Sequence, residues 1–331
     1  MADVAALAGV SHQTVSRVLN GSTLVKADTR TKVLAAIEEM GYRRNNAARM
    51  LATNRSGRIG MISAHLALHG PSMIAVSVQE AGHTAGYDVS LVGVSDFTLE
   101  SLQGAVDRLL DEAVEALVIA VARRDATERV LSLDLSVPVV LVQGVTQGQA
   151  MASGIDQVRG ARLATEHLLD LGHRHVAHVA GPADWVEAGQ RLAGWQQAHA
   201  ERDALPGPLL AGDWSARSGY EAGRRIADDS GVTAVFVAND AMALGMLRAF
   251  HERGVEVPGR ISVVGFDDVP EAAYFWPGLT TVSQEFSLLG RRAVDLTLRA
   301  LGGESAPSEA LIEPSLVVRG STGSAPSVRE R

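Results

Sequence analysis

Ala8-Gly9-Val10-Ser11-His12-Gln13-Thr14-Val15-Ser16-Arg17-Val18-Leu19-Asn20 is the stretch that decides the fold of the N-terminal region. Gly9 permits a positive φ after a helix end, and Ser11 can cap the amides that follow. Val15, Val18 and Leu19 then share one side of a helix, while His12, Gln13, Ser16, Arg17 and Asn20 share the other. Upstream, Val4, Leu7 and Ala8 repeat the helical spacing; downstream, Val33, Leu34, Ile37 and Met40 do so again. Three amphipathic helices can close one small core. The third is predicted from Ala27 to Met40, with Asp28 near its positive end and Gly41 stopping it. Two helices joined by a short glycine-containing turn form a helix-turn-helix. The exposed side of the second helix suits major-groove reading: Gln matches adenine, Arg matches guanine, and Ser or Thr reaches phosphate or base. A plain helical hairpin has the same apolar spacing and is the bland alternative.

Charge favours the first of these. The chain of 331 residues carries a formal −8, which spread evenly would argue against nucleic acid. Residues 1 to 58 hold nine Lys/Arg against four Asp/Glu, net +5, whereas the remainder holds 21 against 34, net −13. A basic head on an acidic body points to a polyanion partner for the head alone. The absence of cysteine excludes disulfides, thiolate nucleophiles and Cys-ligated metal, and fits a reducing, cytoplasmic setting. The start at Met1-Ala2-Asp3 has no export-signal pattern, and no apolar run approaches a membrane span. Secretion and membrane partners are not expected.

From Arg58 on, short apolar runs alternate with helical stretches. They include Ile59–Ile62, Val89–Val92, Leu117–Ala120, Val139–Val142, Val176–Val179, Val235–Val237 and Ile261–Val264. Continuous apolar strands are buried on both faces, so the body reads as parallel α/β. Its length exceeds one comfortable core and predicts two lobes, with ligand sites at the carboxyl ends of strands in the cleft between them. The tail from Ser321 is polar and predicted to fray. The domain reading is 1–44 for the helix-turn-helix, 45–58 for a linker and 59–331 for the two-lobe body.

Asp3-Val4-Ala5-x2-Ala8-Gly9-Val10-Ser11-x2-Thr14-Val15-Ser16-Arg17-Val18-Leu19-Asn20 resembles the DNA-binding signature of the lactose/galactose repressor (LacI/GalR) family. The resemblance covers nearly the whole chain. It implies a periplasmic-binding-protein-like body and a homodimer that clamps a pseudo-palindromic double-stranded operator. It also implies that Asn45-Asn46-Ala47-Ala48-Arg49-Met50-Leu51-Ala52 is a hinge helix folding over the minor groove. There Leu51 would wedge into the central step and Ala48 would lie on the groove floor. A flexible basic linker is the plain reading of the same residues in the free protein. The DNA-contacting set so implied is His12, Gln13, Thr14, Ser16, Arg17, Asn20 and Thr29, with Asn45, Ala48 and Leu51 from the hinge. Arg44 replaces a common Pro, and Lys26 replaces the usual Ser cap of the third helix. Met1 stands where the family has several further residues, so a start upstream is expected. The last residues, 321–331, lack the leucine heptads of the family's tetramers, so a dimer is expected.

In the body, Gly181-Pro182-Ala183-Asp184-Trp185-Val186-Glu187-Ala188-x2-Arg191 resembles the strand-loop-helix of sugar-binding family members. Matching motifs implies a ligand set of Leu68, Pro71, Trp185, Arg191, Trp214, Asn239, Asp267 and Phe286. Arg191 offers a planar fork for two vicinal hydroxyls, and Trp214 offers a face for a pyranose. Trp185 and Glu187 stand where the best-matching member has serines, and Ala120 and Gln143 replace its Asn and Asp. A second tryptophan suggests stacking on both sides of a ring, so a galactoside or related glycoside is expected. The bland readings are a loop or core aromatic for Trp185 and helix caps for Asn239 and Asp267; Asp240 and Asp268 are assigned to capping. Tyr274 and Trp276 are expected to pack. His167, His173, His175 and His178 lack carboxylates at ligand spacing, so no metal and no cofactor are expected.

The function implied is a sequence-specific transcriptional repressor of carbohydrate-utilisation genes, released by a sugar, and not an enzyme. A purine-type corepressor mechanism shares the Arg and Asp positions and stays open. A sugar-transport binding protein would need an export signal and no basic head. A glycoside-acting enzyme would need Asp267 and Asp268 to converge, whereas adjacent residues at a strand end project apart.

Overall fold

The computed structural model describes residues 1–19, 22, 24–42, 55–143, 151–304 and 311–326. The chain divides into two compact units, Met1–Ser56 and Gly57–Arg331.

The first unit holds α1 (Ala2–Ala8), α2 (His12–Leu19) and α3 (Ala27–Glu39). Gly9 takes φ 64 at the end of α1, and the Ser11 hydroxyl accepts from the Thr14 amide at 3.2 Å as the cap of α2. The core is Val4, Ala5, Val15, Val18, Val33 and Ala36, with Leu19 and Ile37 packed against it. Leu7, Leu34 and Met40 are about half exposed, contrary to the sequence reading. Three short helices meet closely where Ala5 and Ala36 face inward, and a leucine two positions away lies at the rim. Lys26 precedes α3 without a side-chain cap bond; Arg30 ties α3 back by donating to the Ser22 carbonyl at 2.6 Å. The hinge residues Asn45, Ala48 and Leu51, together with Asn20, lie outside the described residues.

The second unit has two lobes. The first contains β1 (Arg58–Ala64), α4 (His69–Thr84), β2 (Asp88–Val94), α5 (Leu99–Asp111), β3 (Ala116–Ala120), α6 (Arg124–Leu131), β4 (Val139–Val142) and β5 (Ala152–Ser153). Its sheet runs β2-β1-β3-β4-β5, all parallel. The second contains α7 (Gln157–Asp170), β6 (Val176–Ala180), α8 (Val186–Glu201), β7 (Leu209–Ala211), α9 (Ala216–Ala227), β8 (Ala234–Val237), α10 (Asp240–Glu252), β9 (Ser262–Asp267) and β10 (Thr280–Ser283). The chain then returns to the first lobe as α11 (Phe286–Leu301), which packs on α4, and reaches the second lobe again for β11 (Ser315–Val317). The second sheet runs β11-β10-β9-β8-β6-β7, with only the β10–β11 pair antiparallel.

Strand alternation sets the layers. In β3, Val118 and Ala120 face α4 and α11, while Leu117 and Ile119 face α5 and α6. In the second lobe, Phe236, Val264 and Phe266 face α7 and α8, while Val235, Val237 and Val263 face α9 and α10. Parallel strands with helices on both faces of each sheet put the carboxyl ends of the strands at one edge of each lobe. The apolar runs of the sequence all become strands. β5, β7, β10 and β11 are short and gave no comparable signal; β10 is Thr-Thr-Val-Ser, buried through hydrogen bonds as much as through apolar contact.

The tail does not fray at Ser321. That side chain is fully buried, donating to the Val263 carbonyl at 2.6 Å and accepting from the Thr280 amide at 2.7 Å. The Gly323 amide donates to Ser262, and Ala325 donates to Leu171. Polar composition here means docking through hydrogen bonds.

Candidate functional site

The two sets of strand ends converge on a cavity of about 610 Å³, part of it open to solvent. Ser63, Ala64, Ala120 and Gln143 come from the ends of β1, β3 and β4; Trp185, Trp214, Asn239, Asp267 and Gln284 follow or end β6, β7, β8, β9 and β10. α4 contributes His69, Pro71 and Ile74, α11 contributes Phe286, and α8 contributes Glu187 and Arg191. All eight ligand-set residues read from the sequence line this one cavity. Among the described residues, three of the eight non-glycine residues with positive φ line it: Gln143, Trp214 and Asp267. Such backbone strain collects where a surrounding structure fixes functional groups.

A closed polar ring contributes Arg191, Asp267 and Gln284 to the lining. Arg191 Nε donates to Gln157 Oε1 at 2.9 Å, Gln157 Nε2 donates to Gln284 Oε1 at 2.8 Å, and Gln284 Nε2 donates to Asp267 Oδ1 at 2.8 Å. Asp267 Oδ1 closes the circuit 3.7 Å from Arg191 Nη2. Arg191 also donates through Nη1 to the Ala238 carbonyl, and its guanidinium lies 3.8 Å from the Phe266 ring centroid. Burial pushes the Asp267 carboxyl up and the Arg191 guanidinium down, each against the other's attraction. The guanidinium has five N–H groups, so both terminal nitrogens retain donors for a ligand. Gln157 has no sequence signal: it lies 34 residues before Arg191 and is positioned by α7.

Asn239 caps α10, its Oδ1 accepting from the Met242 amide at 2.9 Å while Nδ2 donates to the Trp214 carbonyl at 3.1 Å. It thus lines the cavity and holds the Trp214 loop. Asp267 caps nothing. Neither does Asp240, which is buried one residue inside α10 and accepts from Thr281 at 2.6 Å and from the Val269 amide at 2.9 Å. Burial and the Asp267 charge push its carboxyl up to about 8. Asp268 pairs with Arg319 at 2.7 Å. The two capping assignments fail because both carboxylates are used to brace the loop after β9.

Trp214, at φ 72, lies over Gly181, where a Cβ would sit 2.2 Å from its ring. Trp185 meets it edge to face, centroids 5.6 Å apart at 69°. Two rings at that distance and angle leave no slot for a sugar between them, so the double-sided stack is not formed; each ring offers the cavity its own exposed edge or face. Trp185 also spans the lobes. Its backbone bridges Arg123, the Val186 amide donates to the Ala122 carbonyl at 3.0 Å, and Arg123 pairs with Asp184 at 2.6 Å. The first-lobe wall of Leu68, Pro71, Ile74, Ala120, Val121, Ala122 and Phe286 is apolar. Three lining side chains have buried polar atoms without a hydrogen-bond partner: Ser63 Oγ, Glu187 Oε2 and Trp214 Nε1. Ser63, His69, Glu187 and Gln284 were not in the ligand set read from sequence.

In the first unit, His12, Gln13 and Arg17 are exposed on α2, with Thr14 and Ser16 half-buried beside them and Thr29 half-buried at the start of α3. Thr14 Oγ1 shares a 2.9 Å hydrogen bond with Ser11 Oγ.

Residues 1–45 match the profile described as bacterial regulatory proteins, lacI family, and residues 165–322 match the periplasmic binding protein-like domain. The Lactose operon repressor of Escherichia coli (strain K12) is 38% identical over 322 residues, 97% of this chain and 89% of that protein. The chain belongs to the lacI family of bacterial regulatory proteins. A lac repressor dimer bound to operator and the anti-inducer ONPF superposes with a TM-score of 0.85 at 38% identity, covering 97% of this chain and 98% of that one. The regulator CelR in complex with cellobiose superposes at 0.72, with 33% identity over 96% and 98% of the two chains. A transcriptional repressor PurR of Pasteurella multocida is 33% identical over 97% of this chain and 98% of its own length.

As a lacI-family member the chain is a DNA-binding transcriptional regulator with the helix-turn-helix head and two-lobe body that its sequence implied. Among the described residues, no helix is long and apolar enough to cross a membrane. The four histidines of the second lobe have separate partners: Thr322 for His167, Thr233 and Ser262 for His173, the Leu205 carbonyl for His175 and the Phe236 carbonyl for His178. Tyr274 and Trp276 do not pack within the chain as the sequence reading expected; they are 88% and 91% exposed.

Proposed function

We propose that the protein is a homodimeric, cytoplasmic repressor of carbohydrate-utilisation genes, released from a pseudo-palindromic operator by a galactoside or related glycoside. Two α2 helices enter successive major grooves. Gln13, Arg17 and Asn20 read base edges, His12, Thr14, Ser16 and Thr29 contribute the remaining base and phosphate contacts, and Asn45, Ala48 and Leu51 occupy the minor groove between the heads. The two-lobe body, 59–331, binds effector and forms the dimer, with Tyr274 and Trp276 in its interface.

The observation that carries the effector reading is the ring Arg191–Gln157–Gln284–Asp267, a preorganised set of donors and acceptors facing an apolar wall. A sugar has hydroxyls for the first and C–H faces for the second. Effector bound there favours one arrangement of the lobes, and through it weakens the hinge contacts. The coupling of such linked sites is typically about 1–3 kcal/mol.

A thermal-shift screen of mono- and disaccharides against purine bases, on the full chain, tests the effector class. Stabilisation by galactosides and indifference to purines is expected. Stabilisation by a purine alone replaces induction by corepression.

A further inference from the structure

One carboxyl in the cavity has no assignment in the sugar-binding scheme. Glu187 is the second residue of α8, one turn before Arg191, and is only 8% exposed. Its Oε2 has no hydrogen-bond partner. A buried carboxylate is normally paired or hydrogen-bonded, because losing hydration without a partner is costly.

The charges around it do not supply that partner. Arg191 is the nearest cation along the helix, but its Nε and Nη1 are bound to Gln157 and Ala238, and its ion-pair contact is with Asp267. Across the lobes, Arg123 is paired with Asp184 and Asp125. The Arg191–Asp267 contact leaves Glu187 Oε2 without a cation at hydrogen-bond distance. Burial outweighs the attraction of Arg191 and pushes its carboxyl up to about 7.

Resting on the sugar reading of this pocket, we infer that Glu187 is a specificity-determining residue that selects an effector bearing an ammonium group, an amino sugar or amine-bearing glycoside, as the missing partner of its carboxylate. A charge-assisted bond to N–H is shorter and stronger than one from a neutral hydroxyl. In a cavity walled by Trp185, Trp214 and Leu68, it is poorly screened by water.

Isothermal titration of the full chain with methyl galactosaminide, methyl galactoside and methyl N-acetylgalactosaminide, and with the corresponding gluco series, tests this. The free amine is expected to bind about tenfold or more tightly than its neutral parent, the difference of one charge-assisted contact. Acetylation, which removes the charge and keeps the nitrogen, should abolish the gain. In Glu187→Gln the amine and its parent should bind alike, and Glu187→Asp should retain part of the preference. Equal binding of amine and parent, or a preference that survives Glu187→Gln, overturns the inference while leaving the sugar reading intact. No binding by any sugar overturns both.

Discussion

The exposed face of α2 and the polar ring at the cavity are both rich in hydrogen-bonding groups, but they are built in opposite ways. On α2, His12, Gln13 and Arg17 come from one turn and a half of one helix and project into solvent. At the cavity, the lining residues Arg191, Asp267 and Gln284, with Gln157 bonded to them, come from four separate elements, are all buried, and are bonded to one another. A surface that must read a large, hydrated partner can leave its side chains mobile and draw affinity from charge. One that must distinguish a small ligand needs groups already held in place, because ordering them at binding would cost affinity.

This contrast makes the largest effect local to α2. Arg17→Ala should weaken specific operator binding by about 1–3 kcal/mol per head, the value of one bidentate base contact. Binding to random DNA should change far less. Anisotropy titrations against both DNAs at fixed salt check this, and equal losses would make Arg17 a phosphate contact.

In the cavity, preorganisation has an electrostatic consequence. The Glu187 carboxyl ordinarily titrates near 4.5 and is pushed up to about 7 by burial. The folded state therefore holds this proton where the unfolded state has lost it. The group's contribution to stability is complete below about 4.5 and is lost as pH rises through about 7, a step of up to about 3 kcal/mol. Glu187→Gln should remove the step, so the variant gains on the parent chain between pH 5 and pH 8 in denaturant unfolding. Parallel stability curves would show the carboxyl to be better solvated than its burial implies.

The smallest effect belongs to the bridge across the lobes. Arg123 and Asp184 are 35% and 48% exposed, and a pair so solvated is worth about 1 kcal/mol or less. Asp184→Asn should leave folding nearly unchanged and alter effector affinity by a few-fold at most. A large loss would assign the strap beside Trp185 a role in holding the lobes together.

The sequence made these regions legible to different degrees for the same physical reason. Gly9, Ser11 and the Val15/Val18 spacing act within a few residues of one another, so α2 could be read directly. The apolar strands were equally plain, since burial on both faces leaves a continuous run. The cavity positions followed from motif resemblance, and Arg191 and Asp267 do face each other. What local reading could not supply is the partner of each group. Gln157 becomes part of the site only when α7 crosses behind α8, and Asp240 turns from expected cap to brace only when β10 brings Thr281 to it. The edge-to-face approach of Trp185 and Trp214 depends on two loops that share no sequence pattern. Polar residues mislead most: Ser321 reads as tail and is buried, because hydrogen bonds to Val263 and Thr280 replace water.

The most direct test of the account is the operator affinity of the full chain, measured with and without a saturating sugar that binds the cavity, in the parent protein and in Asp267→Asn. The account predicts that the sugar lowers operator affinity by about tenfold or more in the parent, a coupling of at least about 1.4 kcal/mol, and has little effect in the variant. An operator affinity indifferent to bound sugar in the parent, or raised by it, would contradict the release mechanism.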